Sequence, residues 1–407
     1  MELQHPKCAG LDVHKDSVVC CVRIQTGSRA ETEVATFGTT TSSLMELSEW
    51  LEERGCTHVA MEATGVYWKP VWHVLEGDFE LVLANAKHIR NVPGRKTDVN
   101  DATWIADLLA HGLIRASFVP PTGIQDMRSL VRTRKQLVRQ RVQNVQRIQK
   151  TLEDANLKVS SVVSDITGMS GRAILRAIIA GETNPEKLLE RTTGRLQASQ
   201  AVLVESLRGR IRSSHRFLLK LHLEQIEQIE SAIASLDQEV GSLLEPFRAK
   251  VERLTTMPGV STLVAEVIVS EIGMDMSRFP TSGHLVSWAG LCPRSDESAG
   301  KRRSTRVRPG APWLKTTLVQ AAWAAARVKN GYLHAQFLRL KSRRGPQKAI
   351  LAVAASMLTA AYHMLRDDLD YHDLGDHYLD TVDKRKTANR LVKRLQALGY
   401  KVELEAA

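Results

Sequence analysis

The sequence predicts an α/β domain followed by a mainly α-helical remainder, an α/β plus α chain. Three observations predict it. Up to residue 122, short β-rich runs interchange with amphipathic stretches; from Gly123 on, apolar residues recur every three or four positions; and 407 residues exceed one ordinary core. The reading divides the chain into an N-terminal domain (1–122), a helical, coiled-coil linker and assembly region (123–250), a mainly helical C-terminal domain (251–366) and a tail (367–407).

Between Cys8 and Ile24 the runs GLDV and SVVCCVRI flank the polar HKD, which reads as a hairpin, and Glu31–Phe37 supplies a third strand. Leu44, Leu47, Trp50 and Leu51 then share a helical face after capping Thr and Ser residues. THVAME is a buried strand, Val66–Glu76 a short helix, FELVLAN a strand, and Asn100–His111 a helix with Ile105, Leu108 and Leu109 on one face. Three meander strands followed by alternating helices and strands match the mixed sheet of the ribonuclease H fold.

Gly123–Leu157 reads as one long helix, Ser160–Ala180 as helix, and Ser213–Leu244 as a helix with Leu221, Ile226, Ile229, Ile233 and Leu236 as its seam. LTTMPGVSTLVAEVIVSEIG is helix, tight turn, helix; it reads either as a helix-hairpin-helix whose turn amides hold a phosphate or as a packing hairpin. Ser295–Gly310 is a polar, basic loop, and Pro312–Val328 and Gln347–Leu365 are alanine-rich helices. The apolar stretch Ala349–Leu365 contains Ser356, Thr359 and His363 and reads as a buried helix, so no membrane is expected.

Asp12 in GLDVHK, Glu62 in AMEATG, and Asp98 with Asp101 in KTDVND fall where this fold brings carboxylates together. Taken singly, each reads equally as a strand end or a helix cap. Together they repel, and divalent metal relieves them; oxygen-only donors favour Mg²⁺, with Mn²⁺ possible in its place, over zinc. Asp107 is a lesser rival for the fourth acid, since it points elsewhere on its helix. Downstream, SDESAGKRRSTR surrounds Ser298 with Lys301, Arg302 and Arg303; attack by a serine on phosphorus needs such cations, although Ser295 is a rival. Two half-sites for phosphodiester chemistry point to DNA rearrangement.

A formal net charge of +11 favours a polyanionic partner. Val131–Lys150 carries Arg132, Arg134, Lys135, Arg139 and Arg141 without an acid and is the expected nucleic-acid surface. The five cysteines lack zinc spacing and read as reduced thiols, and MELQHPK lacks a signal-peptide core, so a cytoplasmic location is expected, with nucleoid association during action. Asp367–Asp383 with His372 and His377 reads as a solvated acidic segment, and Trp68, Trp288, Trp313 and Trp323 as core or loop anchors.

GLDVHK, AMEATGVYW, KTDVNDATWIADLL, MPGV, GLCP, ESAGKRRS and LVQAA together resemble the insertion-sequence-110 family of transposases, the RNA-guided recombinases, over about Cys8 to Tyr362. The resemblance implies a RuvC-like nuclease domain with a DEDD set of Asp12, Glu62, Asp98 and Asp101, and a C-terminal transposase domain with Ser298 as nucleophile; Glu297 stands where some relatives have another serine. It further implies a bridge RNA pairing with donor and target DNA, a phosphoserine intermediate, and a homo-oligomer, dimer to tetramer, in which one subunit's metal site is completed by another's serine. Two other readings remain: a RuvC-like endonuclease that cuts junctions with water and needs no Ser298, and a non-catalytic nucleic-acid-binding scaffold.

Overall fold

The computed structural model describes residues 3–27, 29–90, 101–193, 199–293, 296–298, 300–304, 306–308, 310–382 and 384–403. The chain divides into two compact units, Met1–Val119 and Pro120–Ala407.

In the first unit the order is β1 (Lys7–Val13), β2 (Ser17–Thr26), β3 (Arg29–Gly38), α1 (Thr41–Glu53), β4 (His58–Glu62), α2 (Trp68–Leu75), β5 (Glu80–Ala84), α3 (Ala86–Arg90) and α4 (Asp101–Ala110). The strands form one sheet in the order β3-β2-β1-β4-β5, with the first three antiparallel and β1, β4 and β5 parallel. The polar HKD turn closes the first hairpin through His14 N–H donating to Ser17 C=O at 2.9 Å. Thr40 caps α1 by accepting from the Ser43 amide. The five-residue α3 has no sequence signal, being too short to show a period.

Alternation along the strands divides the core in two. Leu11, Val13, Val59 and Met61 face Leu44, Leu47, Leu51, Val71 and Leu75 from α1 and α2. On the other face Cys8, Ala60 and Ala84 meet Ile105, Leu108 and Leu109 of α4. Cys8, Cys20, Cys21 and Cys56 are buried free thiols, and burial pushes Cys8 up to about 12 and Cys56 to about 11, which leaves them unreactive.

The second unit opens with α5 (Thr122–Asp154), followed by the short α6 (Val159–Val162), α7 (Met169–Ala180), α8 (Pro185–Leu189) and α9 (Gln200–Ser206), and then α10 (Ser213–Leu244). The single helix expected over Ser160–Ala180 is broken. Asp165 Oδ1 accepts from both the amide and hydroxyl of Thr167 at 2.8 Å, a turn that competes with helix just before Gly168, the N-cap of α7.

α5 and α10 run antiparallel. Arg141 donates to Glu230 at 2.8 Å, and seven residues earlier in α5 and seven later in α10 Arg134 pairs with Asp237. Around these layers the buried positions step by four and three: Met127, Val131, Ile148 and Leu152 on α5, and Leu219, Leu223, Ile226, Val240 and Leu244 on α10. Of the expected seam, Ile226 is fully buried, Ile229, Ile233 and Leu236 are half-buried, and Leu221 is 37% exposed; Glu230 and Asp237, which pair with α5, are acids that a search for apolar residues passes over.

The rest comprises α11 (Arg248–Thr255), α12 (Thr262–Ile272), α13 (Ser282–Trp288), a two-stranded hairpin of β6 (Asp296–Ser298) and β7 (Lys301–Ser304), α14 (Pro312–Ala325), α15 (Tyr332–Arg344), α16 (Pro346–Asp367), α17 (Tyr378–Thr381) and α18 (Lys384–Ala397). By length and composition α16 is apolar enough to cross a membrane, but here it is a core helix, burying Ile350, Val353, Met357, Leu358 and Ala361 beneath α13, α14 and α15. The acidic stretch after it is engaged rather than merely solvated. Asp368 pairs with Arg253 at 2.6 Å and Lys250 at 3.4 Å, and Asp373 accepts from the Tyr332 amide at 2.8 Å.

Candidate active site

Asp12 is the penultimate residue of β1 and Glu62 the last of β4. The parallel register pairs Leu11 with Met61, and its next step sets Asp12 beside Glu62 at the carboxyl ends of adjacent strands, which lie about 4.8 Å apart. Such strand ends are where open α/β sheets bind ligands. Both acids fall on the α4 side, because Cys8 and Gly10 alternate with them on β1 and Ala60 on β4.

α4 runs antiparallel to β1. The Gln4 amide donates to Ala110 C=O at 2.9 Å and Cys8 Sγ to Ala106 C=O at 3.6 Å, while Gly10 lies against Ala102. Asp12 thus falls at the level of the α4 N-terminus, whose first residue is Asp101. Gly10 makes this approach possible: a Cβ there would stand 2.3 Å from Ala102 O and 2.4 Å from Ala106 N.

Asp98 lies outside the described residues. Among the described residues no three His, Cys, Asp or Glu side chains converge closely enough to hold a metal ion. What the geometry supplies is an oxygen-donor pair at the strand ends with Asp101 on the facing helix, a donor type that suits a hard divalent cation.

Two partners of these carboxylates went unread in the sequence. His14 Nε2 lies 3.1 Å from Asp12 Oδ2, and the Thr64 hydroxyl donates to Glu62 Oε1 at 2.7 Å. Both stand two residues beyond their acid inside the same motifs, DVH and EAT. Asp107 is committed elsewhere, accepting from buried Arg23 Nε at 2.8 Å.

In the second unit Ser298 ends β6 and pairs with Lys301 of β7, while Gly300 takes φ 73° in the connecting turn. The segment expected as a loop is thus a hairpin; DESAGKRRS has no apolar alternation to announce strands. Ser295 and the side chains of Ser298, Arg302 and Arg303 lie outside the description. Lys301 is exposed. Below the hairpin, Gly290 (φ 71°) and Gly310 (φ 56°) meet so closely that a Cβ on Gly310 would lie 2.4 Å from Ala289 O, and Pro293 bridges to Val307.

The MPGV turn joins α11 to α12. Its Met257 and Val260 are buried, their amides donate to Leu254 and Met257 carbonyls, and Gly259 sits on α14, where a Cβ would be 2.4 Å from Ala321 O. The amides of Met257 and Val260 are thus occupied within the turn.

The basic face of α5 is also largely occupied. Arg132 makes a bidentate bond at 2.7 and 2.8 Å to Glu271, which is 1% exposed, and Arg128 donates to the Ser270 and Glu271 carbonyls at 3.2 and 2.6 Å. Burial brings Arg128 down to about 10. Lys135 donates to Thr316 Oγ1 at 2.7 Å and Thr317 Oγ1 at 3.1 Å, and burial followed by the Arg139 charge lowers its pKa. Arg134 and Arg141 hold the α10 acids. Arg132, Lys135 and Arg139 also ring Trp313 at 5.8, 5.7 and 5.2 Å from its centroid. Of the five expected phosphate ligands, Arg139 is exposed and has no carboxylate partner among the described residues; Arg147 and Lys150 share that condition.

With these positions in place, comparison with known proteins defines the class first. A family model described as Transposase, of the DEDD type, matches residues 9–157, and one described as Transposase IS116/IS110/IS902 family matches residues 251–338. The "Transposase for insertion sequence element IS1111A" of Coxiella burnetii is 24% identical over 355 residues, 86% of each chain. The "Insertion element IS110 uncharacterized 43.6 kDa protein" of Streptomyces coelicolor is 31% identical over 141 residues, 34% of each chain. The "Insertion element IS900 uncharacterized 42 kDa protein" of Mycobacterium paratuberculosis is 27% identical over 158 residues, 36% of this chain and 39% of its own. The chain belongs to the IS110 family of transposases.

Proposed function

We propose that this chain cuts and rejoins DNA to excise and insert its own mobile element, directed by a bridge RNA pairing with donor and target DNA. The observation that carries the reading is the register that sets Asp12 beside Glu62 at parallel strand ends, facing the helix that begins at Asp101. The strand order β3-β2-β1-β4-β5 supports a ribonuclease H-like, RuvC-type domain around that pair.

Asp12, Glu62, Asp98 and Asp101 would hold Mg²⁺, which when bound stabilises charge on the phosphate and lowers the barrier to displacement. Thr64 orients Glu62 through its hydroxyl bond, and His14 orients Asp12. Ser298 is the nucleophile: its Oγ forms a bond to phosphorus, the P–O bond to the deoxyribose breaks, and the leaving oxygen takes the proton. Lys301, Arg302 and Arg303 neutralise the phosphate, and Arg139 and the adjoining exposed cations contact nucleic-acid backbone. We read α5 and α10 as an antiparallel coiled-coil hairpin serving assembly of a dimer or tetramer, and the reaction as cytoplasmic.

The test is strand exchange by purified protein with Mg²⁺, RNA transcribed from the element's non-coding ends, and paired donor and target DNA. Recombinants and a protein-linked DNA species should form with wild type and vanish with Ser298→Ala and with Asp12→Ala. Equal cutting by Ser298→Ala would instead identify a metal nuclease that uses water.

A further inference from the structure

Beyond residue 338, where the second family match ends, the chain carries charge that neither half of the candidate site uses. α15 ends in Lys341, Arg343 and Arg344, and the fourteen-residue α18 carries Lys384, Arg385, Lys386, Arg390, Lys393 and Arg394 without an acid. With α17 these helices enclose an open cleft of about 420 Å³ lined by Arg339, Arg343, Arg390 and Arg394, together with Asp376 and Asp380.

Two of those arginines build the cleft. Arg339 donates to Leu379 C=O at 2.6 Å, and Arg390 to Asp380 at 3.3 Å. Arg343 and Arg394 are exposed and have no carboxylate partner among the described residues. α18 is lightly seated: Thr387 is buried, whereas Leu391, Leu395 and Leu398 are 51%, 41% and 68% exposed. Arg390, Lys393 and Arg394 stand three and four residues apart, a spacing at which like charges destabilise a helix. A helix this short is marginal without tertiary support. Anions in the cleft would relieve the repulsion and support the helix together.

We propose that α15 and α18 form a cleft for the phosphate backbone of duplex DNA, with Arg343 and Arg394 as its contacts. Like the proposed function, it takes DNA as the partner, but it assigns a surface apart from the acids, the serine and the α5 cations. Guanidinium pairs suit phosphate oxygens, and a backbone contact of this kind requires no particular base sequence.

The test measures affinity of the full chain for a duplex across a salt series, with single-stranded RNA and anionic vesicles as parallel probes. Arg343→Gln/Arg394→Gln should weaken duplex binding about 5- to 10-fold and reduce the salt slope by about 2, with an unchanged melting temperature. Lys384→Gln/Lys393→Gln, at exposed positions outside the cleft's ion pairs, should give a smaller loss. Duplex should also raise the wild type's helical circular dichroism and protect residues 384–394 from trypsin. Duplex affinity and slope unchanged in both variants, or losses confined to RNA or vesicles, would overturn the proposal. Wild type with no affinity for DNA would sink the proposed function with it, whereas wild-type binding matched by the variants removes the cleft alone.

Discussion

At the scale of single residues, Gly10 and Glu271 each fix one part of the machinery. Gly10→Ala would drive a methyl into the α4 backbone, to within 2.3 Å of Ala102 O and 2.4 Å of Ala106 N, and α4 carries Asp101. Overpacking of this kind costs about 1–3 kcal/mol, so the melting temperature should fall by several degrees and cleavage should fall further as the helix shifts. Glu271→Gln leaves Arg128 and Arg132 facing a neutral amide in a buried site; a loss of about 3–5 kcal/mol is expected in urea melts, since removing one partner strands a buried charge. The placement of Asp12 and Glu62 at strand ends was legible because alternation along each strand is local. The role of Arg132 was not, because its partner is 139 positions away within the apolar VAEVIVSEIG. A twenty-residue acid-free helix looks like a free basic face until α10, α12 and α14 are folded against it.

At the scale of elements, the Arg141–Glu230 layer between α5 and α10 contributes to acid stability. The strongest single influence on Glu230 is burial, which raises its pKa, but bonds from Arg141 and Arg172 together hold the carboxyl below its ordinary 4.5. Its folded value is thus lower than its unfolded one, so its stabilisation is present above about pH 4.5 and is lost as pH falls through the folded value. Urea midpoints should stay level from neutral pH down to that range and then drop, and Glu230→Gln should flatten the drop. Charge order is testable in the same pair. Arg141→Glu and Glu230→Arg should each destabilise, and the double exchange should recover part of the loss in a double-mutant cycle. The helices and the buried Ile226 were readable from apolar spacing, whereas the ion-pair layers were not, because Glu230 and Asp237 carry no apolar signal. The hairpin bearing Ser298 escaped for a related reason: its strands are three and four residues of polar sequence.

For the molecule as a whole, the first unit contains both of its own apolar layers, so residues 1–119 should fold alone. A cooperative melt and dispersed amide spectrum of that fragment would support this, and a non-cooperative transition would count against it. The sequence conveyed the sheet order and the helical remainder. It conveyed less of how residues after 120 join into one unit, because that joining runs through ion pairs and caps such as Asp368 with Arg253 and Asp373 with Tyr332, whose partners are remote in sequence.

The seven-residue interval between the Arg134–Asp237 and Arg141–Glu230 layers restricts how this transposase can change in length. One residue inserted between Arg134 and Arg141 would rotate the downstream half of α5 by about 100°, so that the two arginines could no longer both face their acids. A matched insertion of seven residues in both helices would keep every layer in phase and lengthen the hairpin by about 10 Å. The hairpin's span is therefore quantised, and relatives that differ there should differ by whole heptads taken in pairs.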